Sequence, residues 1–380
     1  MNKEEGKLVA DTKADALNIL LHNNHGNFQG LPRTAGWGYP EPYTRDLMIC
    51  SLAIFLTKNK SLLQNLKHVL ETLAENQSQL GSIPSLVHQS DNRGASDTTP
   101  LFLMAAALYR KIMNKANFLD EAVEKAIKWM EYQSVCDRII VAQLPTSDWR
   151  DEQWVLGYGL YVNSVVYAYL RLFGRNTNAK ILYKEINKFP AGGLILKNKP
   201  FYAMWSYKIY KSRRFDLLGN SLAILTGIAS KNKTKKIINW IEKQCKILKK
   251  KNMLQTDLPP CLIPYINPGD PDWIDRYKKF NQPGEYHNGG IWPFICGFYI
   301  AALVAAKEYN LAEKKLISLT NLVQISRKKN IGFGFNEWYK AQNGKPSGQD
   351  WQSWSAAMYI YAVNCVEMKN TPFFDEIRKQ

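Results

Sequence analysis

Two carboxylic acids of this chain stand in separate polar segments, each close to tryptophan. Asp151 lies in TSDWRDEQW, and Glu337 lies in FNEWY. Neighbouring aromatic rings can exclude water from a carboxyl group and so raise its pKa. Two carboxyl groups on either side of one bond, one protonated and one ionised, can perform general acid–base chemistry on that bond. Asp151 and Glu337 are therefore the candidate catalytic pair.

The other polar segments combine aromatic rings with carboxylate, amide and guanidinium groups. Such a set suits a sugar, because rings can pack on its faces while the polar groups hydrogen-bond its hydroxyls. Arg45 beside Asp46 is typical of a carboxylate that stays ionised and binds a sugar hydroxyl. The candidate substrate-binding residues are Tyr39, Arg45, Asp46, Asp97, Trp149, His287, Asn288, Trp292, Gln352 and Trp354.

Each of these acids also has a structural interpretation. An acidic residue just before a helix often caps the helix N-terminus. This alternative applies to Asp46, Asp97, Asp151, Asp216 and Asp350. For Asp216 we take the cap or another structural role as the interpretation, whereas for the others the joint pattern of loops and aromatic residues favours a carbohydrate site.

The elements that must position these residues recur along the chain. Six polar segments each run into an apolar helix, at intervals of about 50 to 70 residues, as a repeated supersecondary unit would. The segments are GWGYPEPYTRD, GASDTTP, TSDWRDEQW, RRFDLLGN, EYHNGGIWP and GQDWQSW. The apolar helices following five of them are predicted at 47–56, 101–109, 217–229, 293–306 and 355–366.

Amphipathic helices alternate with these apolar ones, for example over 62–73 and 237–248. Helices without a polar face are buried, and one-sided helices cover them. The sequence thus predicts an all-α (α/α)6 toroid, a six-hairpin barrel, as a single domain over 1–380 with its six loops at one end. A multi-helix protein with coincidental spacing is the alternative. The only candidate strands are 138–144 and 191–205.

Other kinds of site lack their sequence signals. The chain has no GxGxxG or P-loop, no GxSxG, and five scattered histidines without HExxH, so we expect no metal and no cofactor. The six cysteines (50, 136, 245, 261, 296 and 365) form no CxxC pair and are expected to be buried as small hydrophobic residues.

The charge balance is strongly basic, with 50 Lys plus Arg against 33 Asp plus Glu and a net charge of +17. The Lys runs at 231–236 and 246–251 are typical of solvated helix faces rather than of a nucleic-acid site. Residues 1–16 hold no apolar signal segment, and no run is long enough to span a membrane. We expect a cytoplasmic protein whose partner is a small carbohydrate, with no nucleic acid and no membrane; a homo-oligomer is compatible with these observations.

Several of these segments resemble one family closely. YTRDLMICSLAIF is similar to the RDF segment of the alkaline/neutral invertases, which are sucrose-cleaving hydrolases, and YHNGGIWP is similar to their YHNGGSWP. FNEWY followed by QDWQSW resembles their WPEYY and YQTW motifs, and SDWRDE occupies the place of their MID motif. The acidic third loop also resembles that of glucoamylase-like and debranching (α/α)6 enzymes. The order of motifs agrees from about residue 28 to 366.

The resemblance implies an (α/α)6 barrel and an inverting hydrolysis without cofactor. By position, Asp151 corresponds to the general acid and Glu337 to the general base that activates water. The resemblance also implies sugar-contacting or site-shaping positions for Arg45, Asp46, His287, Asn288, Gln352 and Trp354, and substrate binding for Asp97. An inverting mechanism needs the two carboxyl groups roughly 6.5–9.5 Å apart, so that a water molecule fits between.

The chain departs from the invertase pattern where substrate would be recognised. Glu152 and Gln153 replace two arginines, GYGLYVN at 157–163 replaces HGHPLE, and Gln349 replaces an arginine. The expected substrate is therefore a small α-glucoside: sucrose, a related glucosyl disaccharide, a short α-glucan or a glucosylated metabolite. The alternatives are another carbohydrate-active toroid enzyme (an epimerase, lyase or phosphorylase) and a non-catalytic sugar-binding toroid.

Overall fold

The computed structural model describes residues 1–134, 138–190, 192–328 and 330–379. Helices dominate this part of the chain, and its strands are two or three residues long. The helices are α1 (Lys3–Asn23), α2 (Thr44–Thr57), α3 (Lys60–Glu75), α4 (Thr98–Ile112), α5 (Asp120–Tyr132), α6 (Leu160–Leu172), α7 (Asn176–Ile186), α8 (Leu217–Leu225), α9 (Lys231–Lys250), α10 (Tyr277–Phe280), α11 (Pro293–Ala305), α12 (Tyr309–Val323), α13 (Ser353–Met368) and α14 (Phe374–Lys379). The strands are β1 (Tyr158–Gly159), β2 (Trp205–Tyr207), β3 (Tyr210–Lys211), β4 (Phe215–Asp216), β5 (Leu262–Ile263), β6 (Trp338–Tyr339) and β7 (Pro346–Ser347).

Six helices form a closed inner ring. In the order α2, α4, α6, α8, α11 and α13, each packs on the next, and α13 packs back on α2. These are the apolar helices of the sequence; α11, for instance, is buried from Pro293 through Val304. Because no face of such a helix is polar, each can be stable only when it is surrounded by other helices.

An outer layer of amphipathic helices covers this ring. α1 packs on α13, α3 on α2, α5 on α4, α7 on α6, and α12 on α11. α9 shows the same one-sided pattern, burying Ile237, Ile238, Ile241, Cys245 and Leu248 while its lysines face outward. Inner and outer helices alternate along the chain, so the predicted all-α (α/α)6 toroid is confirmed.

Of three acidic residues near helix N-termini, one makes a side-chain cap bond. The Asp216 carboxylate accepts a hydrogen bond from the Gly219 backbone N–H at 3.2 Å, so the cap interpretation of Asp216 is confirmed. Asp97 precedes α4 without a side-chain cap bond, and Asp46 lies within the first turn of α2.

Neither of the two candidate strands is a continuous strand. Residues 138–144 contribute single bridges only, and 192–205 contribute the bridge Ile195↔Tyr202 and the first residue of β2, while residue 191 lies outside the described residues. Around Val141, the Asn163 side chain takes the place of a strand partner: it accepts from the Val141 N–H at 2.8 Å and donates to the Val141 carbonyl at 2.9 Å.

Two further expectations concern cysteines and membrane spans. Cys50, Cys245, Cys261, Cys296 and Cys365 are buried free thiols, as expected, and Cys136 lies outside the described residues. Within the described ranges, none of the helices combines the length and the apolarity needed to cross a bilayer.

Candidate active site

A cavity of about 130 Å³ lies at the end of the barrel where the inner helices begin. Loops preceding α2, α6, α11 and α13 supply its walls. The lining residues are Thr34, Tyr39, Tyr43, Arg45, Asp46, Trp149, Asp151, Tyr286, His287, Trp292, Glu337, Gln352 and Trp354. A larger groove of about 740 Å³ between α3 and α5 is lined mainly by charged and polar side chains of the outer layer, such as Glu71 and Lys125.

The cavity brings together ten of the twelve site residues expected from the sequence; Asp97 and Asn288 are not part of its lining. Tyr43 and Tyr286 belong to loops that the sequence singled out, but the sequence reasoning assigned them no contact. Thr34 was missed entirely, because it lies upstream of the first polar segment and has no distinctive signal of its own.

Glu337 is held rigidly beside the β6–β7 hairpin. Its backbone N–H donates to the Gln349 carbonyl at 2.9 Å, and the Gln349 N–H donates to its Oε2 at 3.3 Å. Its side chain is buried, only 7% exposed. Phe335 and Trp351 flank it with φ angles of 41° and 55°, a left-handed conformation that side chains rarely adopt and that often accompanies functional sites.

The surroundings of Glu337 favour its neutral form. Burial raises its pKa to about 8, with further contributions from the negative charges of Asp46 and Asp151. Burial likewise raises the pKa of Asp46 to about 7, although Arg45 and a hydrogen bond from Gln352 Nε2 at 3.0 Å oppose this shift. The cavity therefore binds protons more tightly than isolated carboxyl groups would.

Asp151 lines the same cavity but is far more exposed to solvent than Glu337. Its side chain is 63% exposed at the mouth, and Oδ1 lies 3.8 Å from Nε2 of His287. Partial desolvation raises its pKa, and the nearby Glu152 and Asp148 carboxylates add to the shift. One acid is thus open to solvent and the other is enclosed.

Stacked rings form one wall. The His287 ring stacks on Tyr286 with centroids 3.9 Å apart and on Trp292 at 5.5 Å, while Trp149 meets His287 edge-on at 5.1 Å. Trp354 stacks on Phe294 at 4.0 Å. His287 is fully enclosed, and burial holds its pKa well below the ordinary value, so its ring is neutral.

Several polar atoms of the lining have no hydrogen-bond partner among the described residues. They are Nε1 of Trp149, Nε1 of Trp354, Oε1 of Gln352 and both ring nitrogens of His287. All four residues are at most 4% exposed. Buried polar atoms are normally paired, because an unpaired one costs free energy. The residues of this wall thus contain both donors and acceptors that other described residues leave unpaired.

Asp97 supports the site from behind. It is fully buried and binds Arg45 through two contacts, 2.5 Å to Nε and 3.0 Å to Nη2, while the Tyr161 hydroxyl donates to it at 3.1 Å. The substrate contact expected of Asp97 stays a prediction: its carboxylate binds Arg45, and it is not among the lining residues. Asp97 thus orients Arg45, which lines the cavity, without lining the cavity itself.

Asn288 also lies outside the cavity lining and holds a neighbouring loop. Its amide accepts from the Ile266 N–H at 2.6 Å and donates to the carbonyls of Ile266 and Asn281 at 2.8 and 2.9 Å. Its amide hydrogens are thus used within the protein, which holds the loop that carries His287. The substrate contact expected of Asn288 likewise stays a prediction, and the structure places this residue outside the lining.

Comparison with known sequences points to one family. A sequence model of the alkaline and neutral invertases matches residues 210–369. The probable chloroplastic alkaline/neutral invertase A of Arabidopsis thaliana is 25% identical over 171 residues, which cover 43% of this chain and 25% of that protein. Cytosolic invertase 1 of Oryza sativa subsp. japonica is 24% identical over 159 residues, 40% of this chain and 26% of that protein. The match thus spans about a quarter of the length of these relatives.

Comparison with solved structures extends over nearly the whole chain. The GH63 mannosylglycerate hydrolase of Thermus thermophilus, with Tris and D-glycerate, has a TM-score of 0.67 at 14% identity and covers 92% of this chain and 99% of its own. A bacterial glucoamylase complexed with acarbose has a TM-score of 0.66 at 14% identity, covering 97% and 57%. At these identities the likeness concerns the fold. The resemblance expected from the sequence is confirmed: this chain is similar to the alkaline and neutral invertases over residues 210–369, on the (α/α)6 toroid that these glycosidases share.

Proposed function

We propose that this chain is an inverting glycoside hydrolase that acts on a small α-glucoside. One observation carries the proposal: an aromatic-walled cavity combines two carboxyl groups in contrasting environments with polar side chains such as Tyr39 and Gln352. A sugar ring would offer hydroxyls to these polar groups and apolar faces to the aromatic rings. The similarity to invertases and the toroid fold support the same reaction class.

In the proposed reaction, Asp151 is the general acid and Glu337 the general base. Asp151 gives its proton to the leaving-group oxygen as the bond to the anomeric carbon breaks. Glu337 takes a proton from a water molecule that attacks the anomeric carbon from the opposite face. The open position of Asp151 suits a leaving group that departs through the mouth, and the enclosed position of Glu337 suits a base acting on a confined water molecule.

The substrate remains within the class of small α-glucosides: sucrose, a related glucosyl disaccharide, a short α-glucan or a glucosylated metabolite. Glu152, at a position where invertases carry arginine, is paired with Arg276, and its backbone carbonyl accepts from Asn281 at 3.0 Å. The mouth beside Asp151 is therefore built differently from an arginine-lined one. This difference supports a leaving group other than that of sucrose.

The alternative chemistries receive less support. A sugar epimerase would need paired histidines, and among the described lining residues His287 is the one histidine. A binding protein would have no use for two carboxyl groups with raised pKa values. The proposal needs no cofactor and assigns the enzyme to the cytoplasm.

The test is a hydrolysis screen followed by proton NMR. The wild type and Glu337→Gln are incubated with sucrose, trehalose, maltose, isomaltose and short α-glucans. Hydrolysis by the wild type alone, with the β-anomer of glucose appearing first, would support the proposal and name the substrate. Release of the α-anomer first would refute inversion, and equal activity in Glu337→Gln would refute the assigned base.

A further inference from the structure

A buried cluster of three charged residues connects the loop that carries Asp151 to the start of α8. Asp148, Arg150 and Asp216 are each at most 1% exposed. Asp148 and Arg150 belong to the loop before α6, and Asp216 begins α8, the next inner helix. Breaking such a buried cluster leaves an uncompensated charge, so its geometry is strongly constrained.

Arg150 is the centre of this cluster. Its Nη2 and Nε lie 2.8 and 3.2 Å from the two carboxylate oxygens of Asp148, and its Nη1 lies 3.1 Å from Oδ2 of Asp216. The Asp148 carboxylate also accepts from the Arg150 backbone N–H at 2.8 Å and from Gln143 at 3.1 Å. The planar guanidinium thereby joins the acid-bearing loop to α8 in one orientation.

The neighbours of Arg150 in the chain both line the cavity. Trp149 precedes it, with its ring centroid 5.3 Å from the guanidinium carbon, and Asp151 follows it. Trp149 in turn meets His287 and Trp292 edge-on at 5.1 and 5.3 Å. A shift of Arg150 would move a cavity wall and the proposed acid together.

Burial is the main reason that the His287 ring is neutral, and the charges around the ring contribute less. The groups that act on this ring are Arg150 and Arg45, which disfavour its protonation, Asp148, which favours it, and Asp151, 3.8 Å away. Tyr286 and Trp292 enclose its two faces. A neutral imidazole has one donor and one acceptor nitrogen, whereas the protonated ring has two donors.

We propose that Arg150 is a positioning residue of the active site: it fixes Trp149 and Asp151 against α8, although it does not itself line the cavity. The kinetic consequence rests on the proposed hydrolase function. The position of Trp149 does not, and can be measured without any substrate.

The kinetic test compares Arg150→Lys and Asp216→Asn with Arg171→Met. Arg171 is a second buried arginine, near the C-terminal end of α6 and therefore far from the cavity. Lysine keeps the charge but cannot form the forked contacts. A displacement of about 1 Å at a reacting group costs on the order of 100-fold in rate. We expect kcat to fall about 100-fold in Arg150→Lys and less in Asp216→Asn, with KM nearly unchanged, and Arg171→Met to retain the wild-type kcat.

The second test follows the Trp149 indole signal by NMR without any substrate, with Trp149→Phe identifying it. We expect the signal to move in Arg150→Lys and in Asp216→Asn, and to stay in place in Arg171→Met. Wild-type kcat in both Arg150→Lys and Asp216→Asn would overturn the proposal, as would an unmoved Trp149 signal in Arg150→Lys. A wild type that hydrolyses nothing would contradict the proposed function alone, because the NMR comparison would still decide the positioning role.

Discussion

Asp151 and Glu337 share one cavity but differ in access to water, and this difference separates their expected roles. A general acid is needed only when the leaving group must be protonated. A glycosyl fluoride releases fluoride without a proton, so Asp151→Asn should retain most activity on it, whereas Glu337→Gln should lose it. On the natural glycoside both variants should lose about 10²–10⁴-fold in kcat. Initial-rate measurements on both substrates would check this.

A matched control for these variants is Glu285→Gln. Glu285 lies in a neighbouring loop, pairs with Lys340 at 2.6 Å and is not part of the cavity lining. It should behave as wild type on both substrates. Loss of fluoride hydrolysis in Asp151→Asn with retention in Glu337→Gln would mean that the two roles are exchanged.

The pH dependence follows from the proton that the pair must hold. The active enzyme has a protonated Asp151 and an ionised Glu337, so it carries one proton between them. The pair shares this one proton: the surroundings of Glu337 favour the form that carries it on Glu337, and the active form carries it on Asp151. Above about pH 8, the raised pKa of Glu337, the pair loses the proton altogether, so the acid is lost and kcat/KM should fall. In Asp151→Asn acting on the glycosyl fluoride, only the ionised base is required. The rate should then rise with pH without an alkaline fall, its midpoint below 8 because the Asp151 charge is gone. A persistent alkaline fall in this variant, measured over pH 5–10, would contradict the assignment.

At the scale of single residues, the sequence predicted the cavity well where a residue type implied its contact. Tyr39, Arg45, Trp149 and Gln352 line the cavity as expected. Asp97 is not part of the lining, because its buried carboxylate pairs with Arg45, a contact that the sequence does not reveal. The supporting role of Arg150 was equally invisible, since its partner Asp216 is distant in sequence and only the packing of α8 beside α6 brings them together.

At the scale of elements, the β6–β7 hairpin depends on one glycine. Gly348 has a φ of +69°, and a Cβ added there would lie 2.6 Å from Cβ of Glu337 and closer still to its carboxylate. Gly348→Ala should therefore displace Glu337 and lower kcat by about 100-fold. Gly344→Ala is the matched control on the same hairpin: its φ is +64°, but the nearest atom would be 3.6 Å away. Both substitutions carry similar backbone strain. If kcat fell equally in both variants, the backbone strain and not the displacement of Glu337 would be the cause of the loss.

The helices were far more predictable than the segments joining them. Periodicity identified both the apolar and the amphipathic helices, because burial on all sides or on one side leaves a direct trace in the sequence. Residues 138–144 and 192–205 form single bridges instead of continuous strands, and the side chains of Asn163 and Asn220 accept hydrogen bonds from backbone N–H groups of these segments. Hydrogen bonds of that kind depend on tertiary contacts that periodicity does not reveal.

At the scale of the whole molecule, the enclosed carboxyl group should make stability depend on pH. The pKa of Glu337 is higher in the folded chain, about 8, than its ordinary value of 4.5, so folding favours the protonated form. Its stabilising contribution is complete below about pH 4.5 and is lost as pH rises through about 8. The slope approaches about 1.4 kcal/mol per pH unit between these limits. The free energy of unfolding of Glu337→Gln should therefore fall less steeply with pH than that of the wild type.

Urea unfolding from pH 5 to 9 would measure this difference, with Glu285→Gln as the control that keeps the wild-type slope. The buried Asp46, whose pKa is raised to about 7, shifts stability in the same direction in every variant except its own, so the difference between slopes measures Glu337 together with its coupling to Asp46. At pH 8 the neutral glutamine should leave the protein more stable and catalytically impaired. That combination is expected when the ionised form of a group is needed for the reaction but destabilises the folded protein. Parallel slopes would mean that Glu337 is ionised in the folded protein throughout this range, and the predicted alkaline fall of kcat/KM would then need another group as its source.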